Sequence, residues 1–233
     1  MLIKSIFFSA CILFLSLKNF AQFNPNLKYG EVKDIDDNIY RTIKIGNQTW
    51  MAENLRTTKY RNGKSIASIT DDAKWEKNET GAWCYYENDE SNNNPYGKLY
   101  NWYAVANNNK ICPIGWHVPT DAEWTTLINY LDPEADGGAD DNTAGGKMKR
   151  AGRQYWNSPN EGATNNSGFS GVPGGSRYYN GPSNGMGEYG VWWSSTEYSS
   201  SNVWTRDLYN YKVNVSRPNF SKSAGFSVRC VRD

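Results

Sequence analysis

Histidine is almost missing from this chain. Of 233 residues, only His117 carries an imidazole. No two cysteines stand in CxxC spacing. Both shortages argue against a zinc centre, which draws on such ligands. No Gly-x-Ser-x-Gly segment occurs, so a nucleophile elbow is missing as well. A Ser-His-Asp system would have to use His117. That residue stands between Trp116 and Val118, just before a helix start, and reads as a structural group bonding nearby backbone. Excess charge of one sign is also lacking, with 25 basic and 24 acidic side chains. Such a balance gives no support for nucleic-acid or anionic-membrane partners. Long apolar runs are confined to the N-terminus, and no later segment is apolar enough to cross a bilayer.

The N-terminal run reads as a secretory signal. Lys4 supplies the positive start, Ile6 to Leu17 the apolar middle, and Ala21 the small residue at the cut. Residues 1–21 are therefore expected to be removed. The middle is shorter than the roughly 20 residues a spanning helix needs. Phe8-Ser9-Ala10-Cys11 resembles a lipobox, yet the apolar run continues beyond Cys11, where a lipobox would end it. Removing Lys4 and Lys18 leaves a chain of formal charge −1. Cysteines 84, 112 and 230 remain, an odd number. One disulfide and one free thiol is the simplest arrangement outside the cell.

What the chain does have is aromatic mass. Ten Trp and sixteen Tyr supply large burial areas that disordered chains lack. Many Gly, Asn and Ser residues lie between them, the composition of a loop-rich fold with an aromatic core. Residues 22–32 read as a linker. Ile39, Ile43 and Ile45 share one parity, Gly46-Asn47 is a turn signal, and Gln48 to Met51 resumes the extended pattern. This predicts a hairpin with Trp50 inward. Residues 57–95 are polar and turn-rich. Leu99, Trp102, Tyr103 and Ala106 predict a helix over 97–106. Thr120 and Glu123 form a capping box ahead of the stripe Trp124, Leu127, Ile128 and Leu131, and Asp132-Pro133 ends that helix. Lys147 to Ala151 reads as one further helical turn. Val191–Thr196, Val203–Tyr209, Tyr211–Val215 and Phe226–Arg232 read as strands, the last half-buried, and Gly181–Gly190 as a loop. Early helices and late strands predict an α+β domain.

Several segments resemble the Fibrobacter succinogenes major paralogous domain family. They are Asp34-Ile35-Asp36 through Trp50-Met51-Ala52-Glu53-Asn54-Leu55, Gly81-Ala82-Trp83-Cys84-Tyr85-Tyr86, and Tyr96-Gly97-Lys98-Leu99-Tyr100-Asn101-Trp102. Cys112-Pro113-Ile114-Gly115-Trp116-His117-Val118-Pro119-Thr120 follows, then Gly168-Phe169-Ser170 with Pro173-Gly174-Gly175. Trp192-Trp193-Ser194-Ser195-Thr196-Glu197 and the ending Gly225-Phe226-Ser227-Val228-Arg229-Cys230-Val231-Arg232-Asp233 complete the series. The resemblance covers about residues 33–233. It implies a secreted or surface-associated bacterial protein. The ending and the Trp-His-Val-Pro-Thr-x-x-Glu-Trp segment also resemble formylglycine-generating and C-type lectin-like folds. These imply a twisted antiparallel sheet with two main helices and long loops, and a bridge between Cys112 and Cys230 that leaves Cys84 free and buried. A Cys84–Cys112 bridge is the alternative.

Neither relative's chemistry carries over. A formylglycine-generating enzyme needs paired cysteines shortly before the ending, and residues 194–224 hold none. A calcium lectin needs an acid before its Pro-Asn, and Arg217-Pro218-Asn219 has arginine there. Asp34-x-Asp36-x-Asn38 resembles half an EF-hand loop, but Ile39 and Ile45 occupy the Gly and Glu positions, so a β-turn is expected. Asp136, Asp140 and Asp141 read as a solvated acidic loop. No cofactor and no metal is implied, and no enzyme. What remains is a binding module for an extracellular glycan or a cell-surface protein, or a structural surface protein. The ligand-contact candidates are Tyr178, Tyr179, Tyr189, Trp193, Trp204 and Arg206, with strand alternation expected to bury one of Trp192 and Trp193 and release the other. A contiguous exposed aromatic patch favours binding; scattered aromatics favour a structural role.

Overall fold

The computed structural model describes residues 23–135 and 141–233. The signal segment, Cys11, Asp136 and Asp140 lie outside the described residues. The isoleucine alternation gives the expected hairpin, β2 (Ile39–Ile45) on β3 (Gln48–Met51), with Ile43 opposite Trp50. Gly46 turns the chain at φ +59, and a Cβ there would meet the Tyr130 ring at 2.8 Å. Trp50 is fully buried, as the pattern requires. Of the linker expected over 22–32, the described residues 23–32 pack as part of the fold. Strand β1 (Gly30–Lys33) pairs with β2, and Phe23, Leu27 and Tyr29 pack against the core. Asp34 makes the expected turn between the two strands. Its carboxylate accepts from the Asp36 and Asn38 amides at 2.9 and 3.0 Å and from the Tyr40 hydroxyl at 2.5 Å.

The fold is mixed and mostly sheet. The first sheet runs β1-β2-β3-β13-β7, where β7 is Trp116–His117 and β13 is Val231–Arg232. A small sheet joins β4 (Ala67–Ser68), β5 (Ala82–Cys84) and β6 (Leu99–Tyr100). The third runs β12-β11-β10-β8-β9, comprising β8 (Gly174–Arg177), β9 (Ser183–Met186), β10 (Tyr189–Glu197), β11 (Asn202–Tyr209) and β12 (Asn219–Ser221). Most pairings are antiparallel, β4 with β5 and β10 with β8 being parallel.

Four local expectations give way to tertiary context. Residues 97–106 are not one helix. Leu99 and Tyr100 pair with Cys84 and Trp83, and Asn101 then caps a single turn, α3 (Trp102–Val105), accepting from the Ala104 amide. Asparagine favours that cap over a helix interior. Two short helices, α1 (Asp72–Glu76) and α2 (Asn93–Tyr96), precede it in the turn-rich region. Gly181–Gly190 is no plain loop, since it contains β9, hairpinned onto β8. Tyr211–Val215 is not a strand. Its carbonyls are taken by the start of α5 (Ala144–Met148) and by side chains: the Gly146 amide donates to Val213, and Lys149 Nζ to Lys212 at 2.6 Å. Trp192 and Trp193 are both 0% exposed, so neither is released. β10 is a central strand with a core on each face. Trp192 joins Leu208 and the helix side, and Trp193 joins Val191 and Val203 on the other.

The C-terminal segment stitches these layers together. Gly225 bridges to Arg177, Phe226 to Tyr100 and Ser227 to Trp192, and Val231 pairs with both Trp50 and His117. Phe226–Arg232 is thus a seam, almost entirely buried, and not a strand open on one face. The Cys112–Cys230 bridge is formed and Cys84 is a buried free thiol. Closing a span of 118 residues stabilises the fold by about 4–5 kcal/mol on the entropic account. At the middle of the seam Arg229 is 0% exposed, its guanidinium 4.1 Å from the Phe169 ring centre. Nε donates to Asn54 Oδ1 at 2.9 Å, Nη1 to the Phe169 carbonyl and Nη2 to the Ser170 carbonyl at 3.0 Å. Burial pushes its pKa down to about 9. Asn54 Oδ1 also accepts from Trp192 Nε1, and its Nδ2 donates to the Tyr96 carbonyl and to Ser227 Oγ. Asn54→Ala leaves the indole and one guanidinium nitrogen without acceptors. At about 1–3 kcal/mol per stranded buried group, it should lower unfolding free energy by roughly 3 kcal/mol or more. Urea denaturation followed by Trp fluorescence checks this.

Helix α4 (Asp121–Leu131) has the expected capping box: Thr120 accepts from the Glu123 amide, and Glu123 accepts from the Thr120 amide. Its stripe Trp124, Leu127, Ile128 and Leu131 is buried. Glu123 has a second task. His117 Nε2 lies 2.8 Å from its Oε1, while Nδ1 lies 2.6 Å from Asp233 Oδ1. His117 therefore bonds carboxylate side chains and not the backbone. A neutral imidazole has one N–H and can satisfy only one of these acceptors. Burial alone would lower the His117 pKa, but the bonds to Asp233 and Glu123 outweigh it and raise the value. A raised folded pKa gives stability that is complete below the unfolded value of 6.5 and lost as pH rises through the folded value. Wild type should therefore lose more stability than His117→Gln between about pH 5.5 and about pH 8.5. Comparing the two cancels the opposite slope from Lys98 and Lys149, which burial lowers to about 8. Equal losses in urea melts would remove His117 as the titrating group.

Candidate functional site

Strands β10 and β11 set Tyr189 directly opposite Tyr209. With period-two alternation, Tyr189, Val191 and Trp193 share a face with Tyr209, Asp207 and Thr205. Along the strand middle this face is core: Trp193 packs on Phe226 with ring centres 4.6 Å apart. Towards the Tyr189 end the cover stops and a cleft of about 280 Å³ opens. The β8–β9 hairpin walls one side with Ser176, Tyr178 and Asn184, and Tyr179 follows at its turn. Phe220 of β12 walls the other.

Side-chain hydrogen bonds hold the rings in place. Ser176 Oγ and Tyr189 Oη are 2.9 Å apart. Asn184 Nδ2 donates to Tyr178 Oη at 3.0 Å and to Tyr189 Oη at 3.1 Å. Tyr178 and Tyr179 stand at the mouth, 48% and 56% exposed. Tyr209 lies 5.7 Å from Tyr189, ring centre to ring centre. Its hydroxyl donates to Asp207 Oδ2 at 3.3 Å, and Thr205 donates to Asp207 Oδ1 at 3.0 Å. Burial first, then the Asp207 carboxylate, raises the Tyr209 pKa, so the phenol stays protonated. The cleft thus offers apolar ring faces with a few fixed hydroxyl and amide groups. Its described lining holds no His, Cys, Lys or Arg, and Asp207 is its one charged side chain.

Three of the six sequence candidates, Tyr178, Tyr179 and Tyr189, meet in this cleft. Trp193 lies in the core, donating its indole N–H to the Tyr100 carbonyl at 2.7 Å. Arg206 is buried as well, pairing with Asp121 at 2.7 Å and donating to Thr125, both on the helix side of β11. Trp204 is half-buried on that same side, covered by the Arg217 guanidinium 3.6 Å from its ring centre and by Tyr198. These three do not line the cleft. Tyr209, Asp207, Asn184 and Phe220 were missed. The available signal for two of them was parity, since Asp207 and Tyr209 sit two apart on a strand.

A second cavity, about 300 Å³, lies beside the disulfide and touches His117, Ser195 and Asp233. Three of its polar side chains, Arg61, His117 and Asp233, are already engaged. Both His117 nitrogens face carboxylates, and Arg61 donates to the carbonyls of Cys112, Pro113 and Trp116. That arrangement holds a loop together. Among the described residues no group of three or more His, Cys, Asp or Glu side chains could hold a metal ion, and no helix is long and apolar enough to cross a membrane.

Comparison with curated proteins and with solved structures returned no match for either. Comparison with protein-family profiles did return one. Residues 43–232, from the second half of β2 through the buried Arg229 seam, match the Fibrobacter succinogenes major domain, and the chain belongs to that family.

Proposed function

We propose that this protein is a secreted or cell-surface, non-catalytic carbohydrate-binding module whose ligand seats in the tyrosine cleft. The convergence of Tyr178, Tyr179, Tyr189 and Tyr209 on one open cavity carries the reading. Tyrosine presents an apolar ring to the apolar face of a sugar and a hydroxyl to its rim, at low cost in side-chain entropy. A lining without His, Cys, Lys or Arg supports binding over chemistry. The disulfide supports an oxidising compartment. Helix α4 packed on antiparallel sheet, with Cys112 ahead of it tied to Cys230 next to the last strand, supports a C-type lectin-like architecture.

A broad glycan array probed with the secreted chain tests this. Specific binding is expected, weakened about tenfold or more by Tyr178→Ala together with Tyr179→Ala, two exposed positions whose loss leaves the melting temperature in place. Trp204→Ala should leave binding unchanged. Silence across the array, or binding indifferent to both tyrosines, would overturn the reading and leave the cleft to a protein partner.

A further inference from the structure

An exposed tyrosine outside the cleft is held as firmly as those inside it. Tyr211 is 58% exposed and stands on the turn that follows β11. That turn is pinned from below. The Lys149 ammonium, itself fully buried, donates to the Tyr209 carbonyl at 2.8 Å and to the Lys212 carbonyl at 2.6 Å, one on each side of Tyr211. Asn210 donates its amide to the Glu188 carbonyl at 2.8 Å and its side-chain nitrogen to the Ser158 carbonyl at 3.0 Å. The turn is thereby tied to the residue just before Tyr189, and the spacing between the cleft and Tyr211 is set by the backbone.

The ring of Tyr211 continues a line that starts on the cleft floor. Ring centres of Tyr189 and Tyr209 are 5.7 Å apart, and those of Tyr209 and Tyr211 are 5.4 Å apart. Lys212 Nζ lies 5.4 Å and 5.7 Å from the ring centres of Tyr209 and Tyr211, close enough for both rings to attract the ammonium. Tyr189 and Tyr209 line the cavity and Tyr211 does not. Three rings in successive contact therefore lead from the cleft out to solvent. A ring fixed at the surface in this way binds a partner at low cost in side-chain freedom. The cavity itself, about 280 Å³, is at the small end for ligand pockets, which run upward from about 300 Å³. A chain of several sugars cannot fit within it and has to leave along a wall.

We infer that the cleft and Tyr211 form one extended site for a linear glycan chain, with one sugar unit seated among the cleft tyrosines and a neighbouring unit stacked on Tyr211. This rests on the reading of the cleft as a glycan site. A single sugar uses the cleft alone, and an oligomer gains the outer ring as well.

Titration calorimetry of the whole secreted chain separates this inference from the reading beneath it. The probes are β-1,4-linked oligomers of glucose, of N-acetylglucosamine and of xylose, each from the single sugar to the hexamer. In the series that binds, affinity should rise about tenfold from the shortest oligomer that binds to the longer ones and then level off. Tyr211→Ala should remove that rise and leave the shortest oligomer's affinity and the melting temperature unchanged. Tyr211→Phe, which keeps the ring, should keep the rise. Affinity independent of length, or a rise that survives Tyr211→Ala, would overturn the extended site while the glycan reading stands. So would an equal loss at every length in Tyr211→Ala, because the ring would then serve the cleft and not a further sugar. No binding of any oligomer would overturn both.

Discussion

A guanidinium without a carboxylate salt bridge sits near the middle of this fold, and the surrounding layers are arranged around its solvation. Moving an ion out of water is costly unless its charged nitrogens find acceptors. Arg229 meets that demand with oxygen dipoles: the Asn54 side chain and the carbonyls of Phe169 and Ser170. Those acceptors come from two separate stretches of chain, and Arg229 itself belongs to a third. Satisfying the ion therefore fixes where the first sheet ends, where the Gly168–Ser170 turn sits, and how the C-terminal seam enters. The rings of Phe169 and Trp192 add their faces to the same cation. A hydrophobic residue at position 229 could fill the volume, but it would leave two carbonyls and an amide oxygen short of donors.

The tryptophans apply the same logic across the rest of the molecule. Trp75, Trp83, Trp102, Trp124, Trp156 and Trp193 each donate the indole N–H to a backbone carbonyl of a distant segment. Each contributes apolar area and also ties a carbonyl far along the chain, whether in a loop, as at Ile66 and Ser223, or in a strand, as at Tyr100 and Ser194. A chain with short strands and long turns carries many such carbonyls. The tryptophans thus help to bury irregular backbone, while Tyr130, Tyr178, Tyr179, Tyr198 and Tyr211 are exposed. The clustered tyrosines at the end of β10 and β11 are the departure from that pattern.

How much of this was legible beforehand depends on the range of the determining contact. The β2–β3 hairpin, the capping box of α4 and strands β10 and β11 are specified by residues within a few positions of each other, and they read correctly. The 97–106 helix read wrongly because Leu99 and Tyr100 are claimed by β5 and by Phe226, far away in sequence. Tyr211–Val215 read wrongly because Gly145 and Gly146 let a helix start approach its carbonyls, and side-chain patterning cannot show that. The Trp192–Trp193 pair failed for a related reason. Alternation assigns opposite faces correctly, but only the layering of the sheet says that both faces are covered. The cleft was half legible. Tyr178, Tyr179 and Tyr189 stand near each other in sequence, whereas Phe220 and Asp207 arrive by sheet pairing.

That layering also accounts for where a ligand can enter. A central strand buried on both faces offers no surface along its length, so access is possible only where its cover ends. At the Tyr189 end, Ala224 and Phe226 of the seam and the β8–β9 hairpin line the cleft without filling it. The tyrosines there are not loose surface groups. Ser176, Asn184 and Asp207 fix their hydroxyls, and the strands fix their Cα positions. Rings held in this way have little side-chain freedom left to lose. A rigid core that leaves one end of its central strands uncovered holds a group of fixed aromatic rings at that end.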